Sequence, residues 1–165
     1  MVAITLKGNS IHTSGEIPKV GTIAPDFTLT ANDLSKVSLS DFKGSRVVLN
    51  IFPSVDTGTC AASVRRFNKE ASNLKNVKVL CISRDLPFAQ ARFCGAEGLD
   101  NVINLSDFAT GQMGKDYGLE ITDGPLAHLH SRVVIVLDEN AVVIYNQQVP
   151  EIVDEPDYHE ALKSL

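Results

Sequence analysis

Residues 47–60 read Val47-Val48-Leu49-Asn50-Ile51-Phe52-Pro53-Ser54-Val55-Asp56-Thr57-Gly58-Thr59-Cys60. The first six residues are nearly all apolar, a composition typical of a central strand that is covered on both faces. Pro53 ends this strand because it has no amide proton for sheet pairing. Beyond the loop, apolar residues at helical spacing predict a helix over about 58–74. A buried strand that leads through a loop into a helix is the unit of an α/β fold.

Three further apolar runs predict strands of the same sheet at 77–82, 133–137 and 141–145. Residues 138–140, Asp-Glu-Asn, join the last two as a hairpin turn. Near the start of the chain, we expect a β-hairpin around Gly8-Asn9 and a short strand at 27–29. The sheet would then contain strands in both directions.

Helices are predicted between and after these strands. One helix follows Asp85, as capping residue, and Pro87, as first-turn proline, and it ends near Gly95. Two other helices are predicted within 108–117 and over 158–165. The order of elements predicts an α/β protein with a mixed central β-sheet flanked by helices and an N-terminal β-hairpin. A terminal hairpin after a βαβ start resembles the thioredoxin-like fold. No linker or repeat interrupts the chain, so we expect a single domain, 1–165.

The composition narrows the classes of function. The chain has 165 residues, 44% of them apolar and 21% charged, with a formal net charge of −5. These apolar and charged fractions are those of a globular protein. The negative net charge argues against a surface that binds nucleic acid or an anionic membrane. No apolar run is long enough to span a bilayer, and residues 1–10 do not resemble a secretory signal, so a cytoplasmic location is expected.

The three cysteines, Cys60, Cys81 and Cys94, are too few for a disulfide scaffold. Counting from Thr57 as N-cap places Cys60 at the third helical position, where free N–H groups and the helix dipole favour thiolate over thiol. Position alone leaves a reactive and an inert buried Cys60 equally open. Cys81 lies within an apolar strand, and we interpret it as an inert buried residue.

The spacing Pro53-x-x-x-Thr57-x-x-Cys60 resembles the active-site pattern of the peroxiredoxins. Residues 50–65 and 86–98 resemble the corresponding segments of bacterial thiol peroxidases, the atypical two-cysteine branch of that family, and the similarity extends to 123–126 and 155–158. The resemblance implies a thioredoxin-like fold and a thiol-dependent peroxidase that serves in antioxidant defence.

The resemblance also implies roles for individual residues. Cys60 is the peroxidatic cysteine, which becomes a sulfenic acid, and Thr57 and Pro53 complete its pocket. Arg132 would hold the Cys60 thiolate, although the sequence by itself favours a solvent-exposed charge at a strand end. Cys94 is the resolving cysteine of a Cys60–Cys94 intrachain disulfide. A disulfide needs the two Cα atoms within about 7 Å, so we expect the segment around Cys94 to unwind on oxidation.

Partners follow from the same resemblance. The substrates would be hydrogen peroxide and organic hydroperoxides, and the reductant would be thioredoxin. The branch needs no haem, flavin, metal or selenium as cofactor, and its members are typically homodimers. No nucleic acid or membrane partner is expected.

Three other interpretations of the sequence predict a different kind of site or activity. Cys60 and Arg66 have the Cys-x5-Arg spacing of a phosphate-binding loop, but the residues between them include no glycine for an N–H cradle. A redox sensor would form the same disulfide but turn over slowly. His128 and His130 alternate with Arg132 as metal ligands would, yet the adjacent cation disfavours a metal, and we expect the histidines to be solvated or paired with a neighbouring group.

Overall fold

The computed structural model describes residues 1–165, which form nine strands and four α-helices. Their bounds are β1 Val2–Leu6, β2 Asn9–Thr13, β3 Thr28–Ala31, β4 Lys36–Ser38, β5 Arg46–Ile51, α1 Gly58–Ala71, β6 Val77–Ser83, α2 Pro87–Glu97, β7 Ile103–Ser106, α3 Gln112–Asp116, β8 Val133–Leu137, β9 Val143–Gln148 and α4 Tyr158–Lys163. A short 3₁₀ helix, Leu39–Phe42, precedes β5. None of the helices has the length and apolar character needed to cross a membrane.

Seven strands form one mixed sheet in the order β4-β3-β7-β6-β5-β8-β9. β5, β6 and β7 are parallel, whereas β8 and β9 on one side and β3 and β4 on the other run antiparallel to their neighbours. β1 and β2 form a separate antiparallel hairpin. The predicted α/β architecture, with a mixed sheet, flanking helices and an N-terminal hairpin, is confirmed.

Several predicted boundaries were wrong, each for a local reason. The first hairpin turns at Lys7-Gly8, where both residues have positive φ, one residue earlier than expected. α2 continues to Glu97 because Gly98, rather than Gly95, adopts the left-handed conformation that ends it. β9 starts at Val143 because Ala141 belongs to the turn, with a φ of 62°.

The helix predicted within 108–117 is shorter than expected, because the left-handed Gly111 immediately precedes α3. The strands β4 and β7 were not predicted. They have three and four residues, too few for a recognisable alternation.

Alternate residues of β5 divide the interior into two layers. Leu49 and Ile51 pack into a cluster with Met113 and Tyr117 on one face of the sheet. The other face carries Val48 and Phe52, together with residues of α1, α2 and α4. Cys60, Cys81 and Cys94 all belong to this second cluster, so all three cysteine sulfurs lie between the sheet and the helices.

Candidate active site

Cys60 lies in the first turn of α1, at the helical position that the sequence predicts. Thr57 is the N-cap, and its hydroxyl oxygen accepts a hydrogen bond from the Cys60 backbone N–H at 3.4 Å. The same hydroxyl donates to the Ser54 carbonyl oxygen at 3.1 Å. The Cys60 side chain is fully buried, and Pro53, at the start of the loop that leads to α1, is buried as well. Local capping chemistry therefore fixes the sulfur at a helix N-terminus.

The loop between β5 and α1 is fixed by a carboxylate on the neighbouring strand connection. Asp85 accepts hydrogen bonds from the Ser54 hydroxyl at 2.7 Å, the Val55 N–H at 2.9 Å and the Ser83 hydroxyl at 2.6 Å. The expectation that Asp85 caps α2 is therefore wrong, because its oxygens are engaged here, and Leu86 takes the N-cap position. Asp85 instead holds the residues that lead to Cys60.

Arg132 lies directly before β8, and its guanidinium reaches the cysteine sulfur. Nη2 is 3.4 Å from Cys60 Sγ, and Nε donates to the Ile152 carbonyl oxygen at 2.9 Å. Arg132 is only 2% exposed, and Nη1 is a buried donor with no partner. The prediction of a solvent-exposed charge, which the sequence by itself favours, is wrong, because the fold brings a carbonyl oxygen and a sulfur into contact with the Arg132 side chain. A cation beside a sulfur favours the thiolate.

An open cleft of about 420 Å³ leads to this group. Its walls include Pro53, Thr57 and Arg132, and its apolar residues are Leu6, Leu126, Ile152 and Val153. Cys60 is not among the lining residues and lies behind them. The cleft thus ends at the groups that surround the sulfur, with apolar walls and a buried cation.

Cys94 is placed apart from this cleft. It is buried on α2, and its sulfur accepts a hydrogen bond from Asn104 Nδ2, on β7, at 2.8 Å. Burial raises the pKa of the Cys94 thiol, and the Asn104 hydrogen bond partly opposes that shift. All three cysteines are free thiols. The structure therefore brings Pro53, Thr57, Cys60 and Arg132 together, whereas the Cys94 sulfur contacts Asn104 instead.

Cys81 lies in the middle of β6 and has a different environment from the other two cysteines. It is fully buried, and burial raises the pKa of its thiol to about 12. A hydrogen bond from Asn50 Nδ2, 3.7 Å from the sulfur, only partly opposes this shift. A thiol in such surroundings stays protonated and inert at neutral pH.

The residues that suggested a phosphate-binding loop or a metal site make other contacts in the structure. Arg66 pairs with Glu70 Oε1 at 3.1 Å, and the residues between Cys60 and Arg66 are helical, so no phosphate-binding loop forms. His128 is exposed, but His130 is fully buried, with Nε2 3.2 Å from Asp107 Oδ2. His128 Nδ1 lies 3.3 Å from Glu120 Oε1, so both histidines lie beside a carboxylate, which is one of the two outcomes expected.

Two groups around the cleft had no signal in the sequence. Glu151 accepts hydrogen bonds from the Thr5 hydroxyl at 2.6 Å and from the backbone N–H groups of Lys7 and Gly8 at 2.8 and 2.9 Å. The Thr59 hydroxyl donates to the Val153 carbonyl oxygen at 2.8 Å. These contacts join the N-terminal hairpin, the segment after β9 and the start of α1, which are far apart in the chain.

The fold and the buried cysteine–arginine pair define a class of thiol-dependent enzymes with a thioredoxin-like fold. The Redoxin family model matches residues 19–162, and the chain belongs to this family. The thiol peroxidase of Mycobacterium bovis is 52% identical over 165 residues, which are 100% of this chain and 99% of that protein.

Solved structures agree with this assignment. A peroxiredoxin-like protein from Aquifex aeolicus is similar with a TM-score of 0.92 at 37% identity, over 98% of this chain and 95% of that one. A thiol peroxidase from Chromobacterium violaceum is similar with a TM-score of 0.87 at 25% identity, over 98% and 93%. The protein is thus an enzyme with thiol peroxidase activity, which takes a peroxide as substrate and a thiol as reductant.

Proposed function

We propose that this thiol peroxidase reduces hydrogen peroxide and organic hydroperoxides through a Cys60 sulfenic acid and a Cys60–Cys94 disulfide, which thioredoxin then reduces. The observation that carries the proposal is the 3.4 Å contact between Arg132 Nη2 and Cys60 Sγ, at the end of an apolar cleft. A buried guanidinium next to a sulfur at a helix N-terminus stabilises negative charge on that sulfur.

In the first step, the Cys60 thiolate attacks one peroxide oxygen in line with the O–O bond. That bond breaks, and the second oxygen leaves as hydroxide or alkoxide and takes up a proton, which gives water or an alcohol. The sulfur is oxidised to a sulfenic acid. Arg132 Nη1 has no partner within the protein, so it is free to donate to a peroxide oxygen as charge develops there. Pro53 and Thr57 shape the pocket from the cleft side.

In the second step, Cys94 resolves the sulfenic acid. The Cys94 sulfur attacks the Cys60 sulfur, hydroxide leaves, and the thiol proton of Cys94 completes a water molecule. Cys94 is held by Asn104 on β7, so the C-terminal part of α2 has to unwind before the sulfurs meet. Thioredoxin, a dithiol, then exchanges with this disulfide and restores both thiols.

The cellular setting is part of the same proposal. We place the enzyme in the cytoplasm, where thioredoxin keeps thiols reduced, and assign it to antioxidant defence as a homodimer. Support for the reduced setting comes from the cysteine content, since three cysteines are too few for a disulfide scaffold and the cycle uses two of them.

A thioredoxin-coupled assay tests the cycle. NADPH consumption by wild type, Cys60→Ser and Cys94→Ser is followed with hydrogen peroxide and with an organic hydroperoxide. We expect turnover with wild type, none with Cys60→Ser, and loss of thioredoxin-dependent turnover with Cys94→Ser. Wild-type activity in Cys60→Ser would contradict the proposal. Slow turnover of a wild type that still forms the disulfide would indicate a redox sensor instead.

A further inference from the structure

A row of polar side chains is buried beneath α1 and α2. Asn50, Cys81 and Asn104 are register partners on the adjacent strands β5, β6 and β7, so their side chains lie side by side on one face of the sheet. Asn50 is 1% exposed and Asn104 is 5% exposed. A buried amide destabilises a fold unless its polar atoms are hydrogen-bonded, so two of them within an apolar cluster need an explanation.

Each asparagine of the row holds one helix. Asn50 Nδ2 lies 3.2 Å from Ser63 Oγ of α1, whereas Asn104 Nδ2 lies 2.8 Å from Cys94 Sγ of α2. The carbonyl oxygens Oδ1 of both side chains are buried without a partner. Leucine, of similar size, would fill the place of Asn104 without leaving an unpartnered oxygen. Packing therefore does not account for Asn104, and its contact with the Cys94 sulfur does.

The contact between Asn104 and Cys94 is incompatible with a Cys60–Cys94 disulfide. Cys60 Sγ contacts Arg132 in front of β8, whereas Cys94 Sγ contacts Asn104 on β7, and β5 and β6 lie between these two strands. A disulfide requires Cα atoms within about 7 Å. Cys60 is fixed in the first turn of α1, whereas Cys94 lies three residues before the last residue of α2, Glu97. Cys94 therefore has to leave Asn104 before the disulfide can form.

We propose that Asn104 is a positioning residue that retains Cys94 in the closed α2 and thereby sets the rate at which the Cys60–Cys94 disulfide forms. This inference rests on the proposed function of Cys94 as resolving cysteine. The bond to be broken is one between neutral groups, since burial keeps the Cys94 thiol protonated. Such a bond contributes about 1 kcal/mol, so its loss increases the population of open α2 about fivefold.

Retention of Cys94 has a chemical consequence for Cys60. While α2 stays closed, the Cys60 sulfenic acid remains available to a second hydroperoxide. That reaction transfers one more oxygen to sulfur, gives a sulfinic acid and releases an alcohol or water, and it competes with disulfide formation. Asn104 therefore sets the peroxide concentration above which the enzyme inactivates itself.

The experiment compares Asn104→Ala with the matched control Asn50→Ala, from the same buried row, because truncation removes the amide without adding apolar contacts that would hold α2 closed. Reduced protein is mixed with one equivalent of hydrogen peroxide, quenched with an alkylating agent at set times, and analysed by mass spectrometry. We expect the disulfide to form about fivefold faster in Asn104→Ala and at the wild-type rate in Asn50→Ala. The rate of the first oxidation of Cys60 is expected to stay unchanged in both variants.

With excess peroxide, half-conversion of Cys60 to sulfinic acid should need about fivefold more peroxide in Asn104→Ala than in wild type. If Asn104→Ala does not fold, Asn104→Ser, whose short side chain lacks the amide donor, should show the same acceleration. A purely structural role would lower the thermal midpoint without accelerating this one step. An unchanged or slower disulfide step in a folded variant would overturn the role of Asn104. Absence of a Cys60–Cys94 disulfide in wild type would instead overturn the proposed function.

Discussion

The three cysteines share one apolar cluster, but each sulfur has a different polar neighbour. Cys60 contacts the guanidinium of Arg132, Cys94 contacts the amide of Asn104, and Cys81 has only the more distant amide of Asn50. A charged neighbour stabilises a thiolate, a neutral amide does so weakly, and burial opposes it. The reactivity of the sulfurs should therefore differ strongly although all three side chains are buried.

Cys81 provides the first prediction at this scale. Burial raises the pKa of its thiol to about 12, so roughly one molecule in ten thousand carries the thiolate at pH 8. We expect iodoacetamide to modify Cys81 last in the native protein, as mapped by mass spectrometry. Cys81→Ala should keep peroxidase turnover and lower the free energy of unfolding by about 1 kcal/mol. Loss of turnover in a folded Cys81→Ala would show that the inert assignment is wrong.

Arg132 provides the second prediction. Arg132→Gln removes the charge next to Cys60 Sγ, and we expect kcat/KM for hydrogen peroxide to fall about 100-fold or more. Arg132→Lys keeps a charge but cannot bind the Ile152 carbonyl and the sulfur from one rigid plane, so it should recover only part of the activity. The control is Arg66→Gln, whose partner is Glu70 on the helix surface and whose activity should stay within twofold. Comparable losses in both variants would contradict this view of Arg132.

The residues that the sequence could predict are those fixed by local chemistry. Thr57 and Cys60 are three residues apart, and helix capping alone determines how they face each other. Arg132 and Cys60 are 72 residues apart and meet only after β8 pairs with β5. The contact between Asn104 and Cys94 likewise depends on α2 packing on β7. No spacing rule applies to such pairs, so only the family resemblance pointed to Arg132, and nothing pointed to Asn104.

Among the elements, α2 is the one whose conformation the proposed cycle has to change. An ion pair between Glu97 and Arg65, at 2.9 Å, attaches α2 to α1. A second ion pair, between Arg92 and Asp56 at 2.8 Å, attaches α2 to the loop before α1. We expect amide hydrogens of residues 86–98 to lose protection on oxidation, whereas those of β5 and β6 keep it. Hydrogen exchange with mass spectrometry compares the two states, with Cys94→Ser as control. Equal protection of 86–98 in both states would contradict the unwinding.

The N-terminal hairpin provides a prediction about pH. Hydrogen bonds from the Thr5 hydroxyl and from the Gly8 and Lys7 N–H groups lower the pKa of Glu151 from its ordinary value of 4.5 to about 2. A lowered pKa in the folded state means that the stabilisation is fully present above about 4.5 and is lost as the pH falls towards 2. Amide protection in β1 and β2 should therefore decrease across this range in hydrogen exchange.

Glu151→Gln is the matched variant for that experiment, because it keeps the shape of the side chain and removes its titration. We expect its hairpin to be less protected than that of wild type above pH 4.5 and to lose less protection between pH 4.5 and 2. Some loss remains because Asp123, which accepts a hydrogen bond from the His12 N–H of β2 and has a lowered pKa, still titrates. The same pH dependence in Glu151→Gln and wild type would show that another group is responsible. Since Leu6 and Lys7 line the cleft, a loosened hairpin also alters one wall of the candidate active site.

Element length decided how much of the fold could be predicted. β5, β6 and β8 are apolar runs of five to seven residues, and their character is visible without any knowledge of their neighbours. β7 has only four residues, and pairing with both β3 and β6 holds it in place. Tertiary pairing of this kind has no local pattern, so the sheet was predicted correctly in its centre and incompletely beyond it.

In the whole molecule, one sheet supports both apolar layers, since alternate residues of β5 belong to opposite clusters. The hairpin is attached to the rest by backbone hydrogen bonds that join Thr5 to Pro150 and Ile152. We therefore propose that residues 1–165 form a single domain and that neither layer is stable without the other.

Calorimetry tests this domain together with the proposed homodimer. We expect one unfolding transition with an enthalpy of about 115 kcal/mol of chain near 60 °C, because each residue contributes about 0.7 kcal/mol. In a homodimer, association stabilises only the folded state, so the midpoint should rise as the protein concentration is raised tenfold. Sedimentation should give twice the 17.8 kDa of one chain. Two separate transitions would contradict the single domain, whereas a monomer mass and a midpoint independent of concentration would contradict the dimer alone.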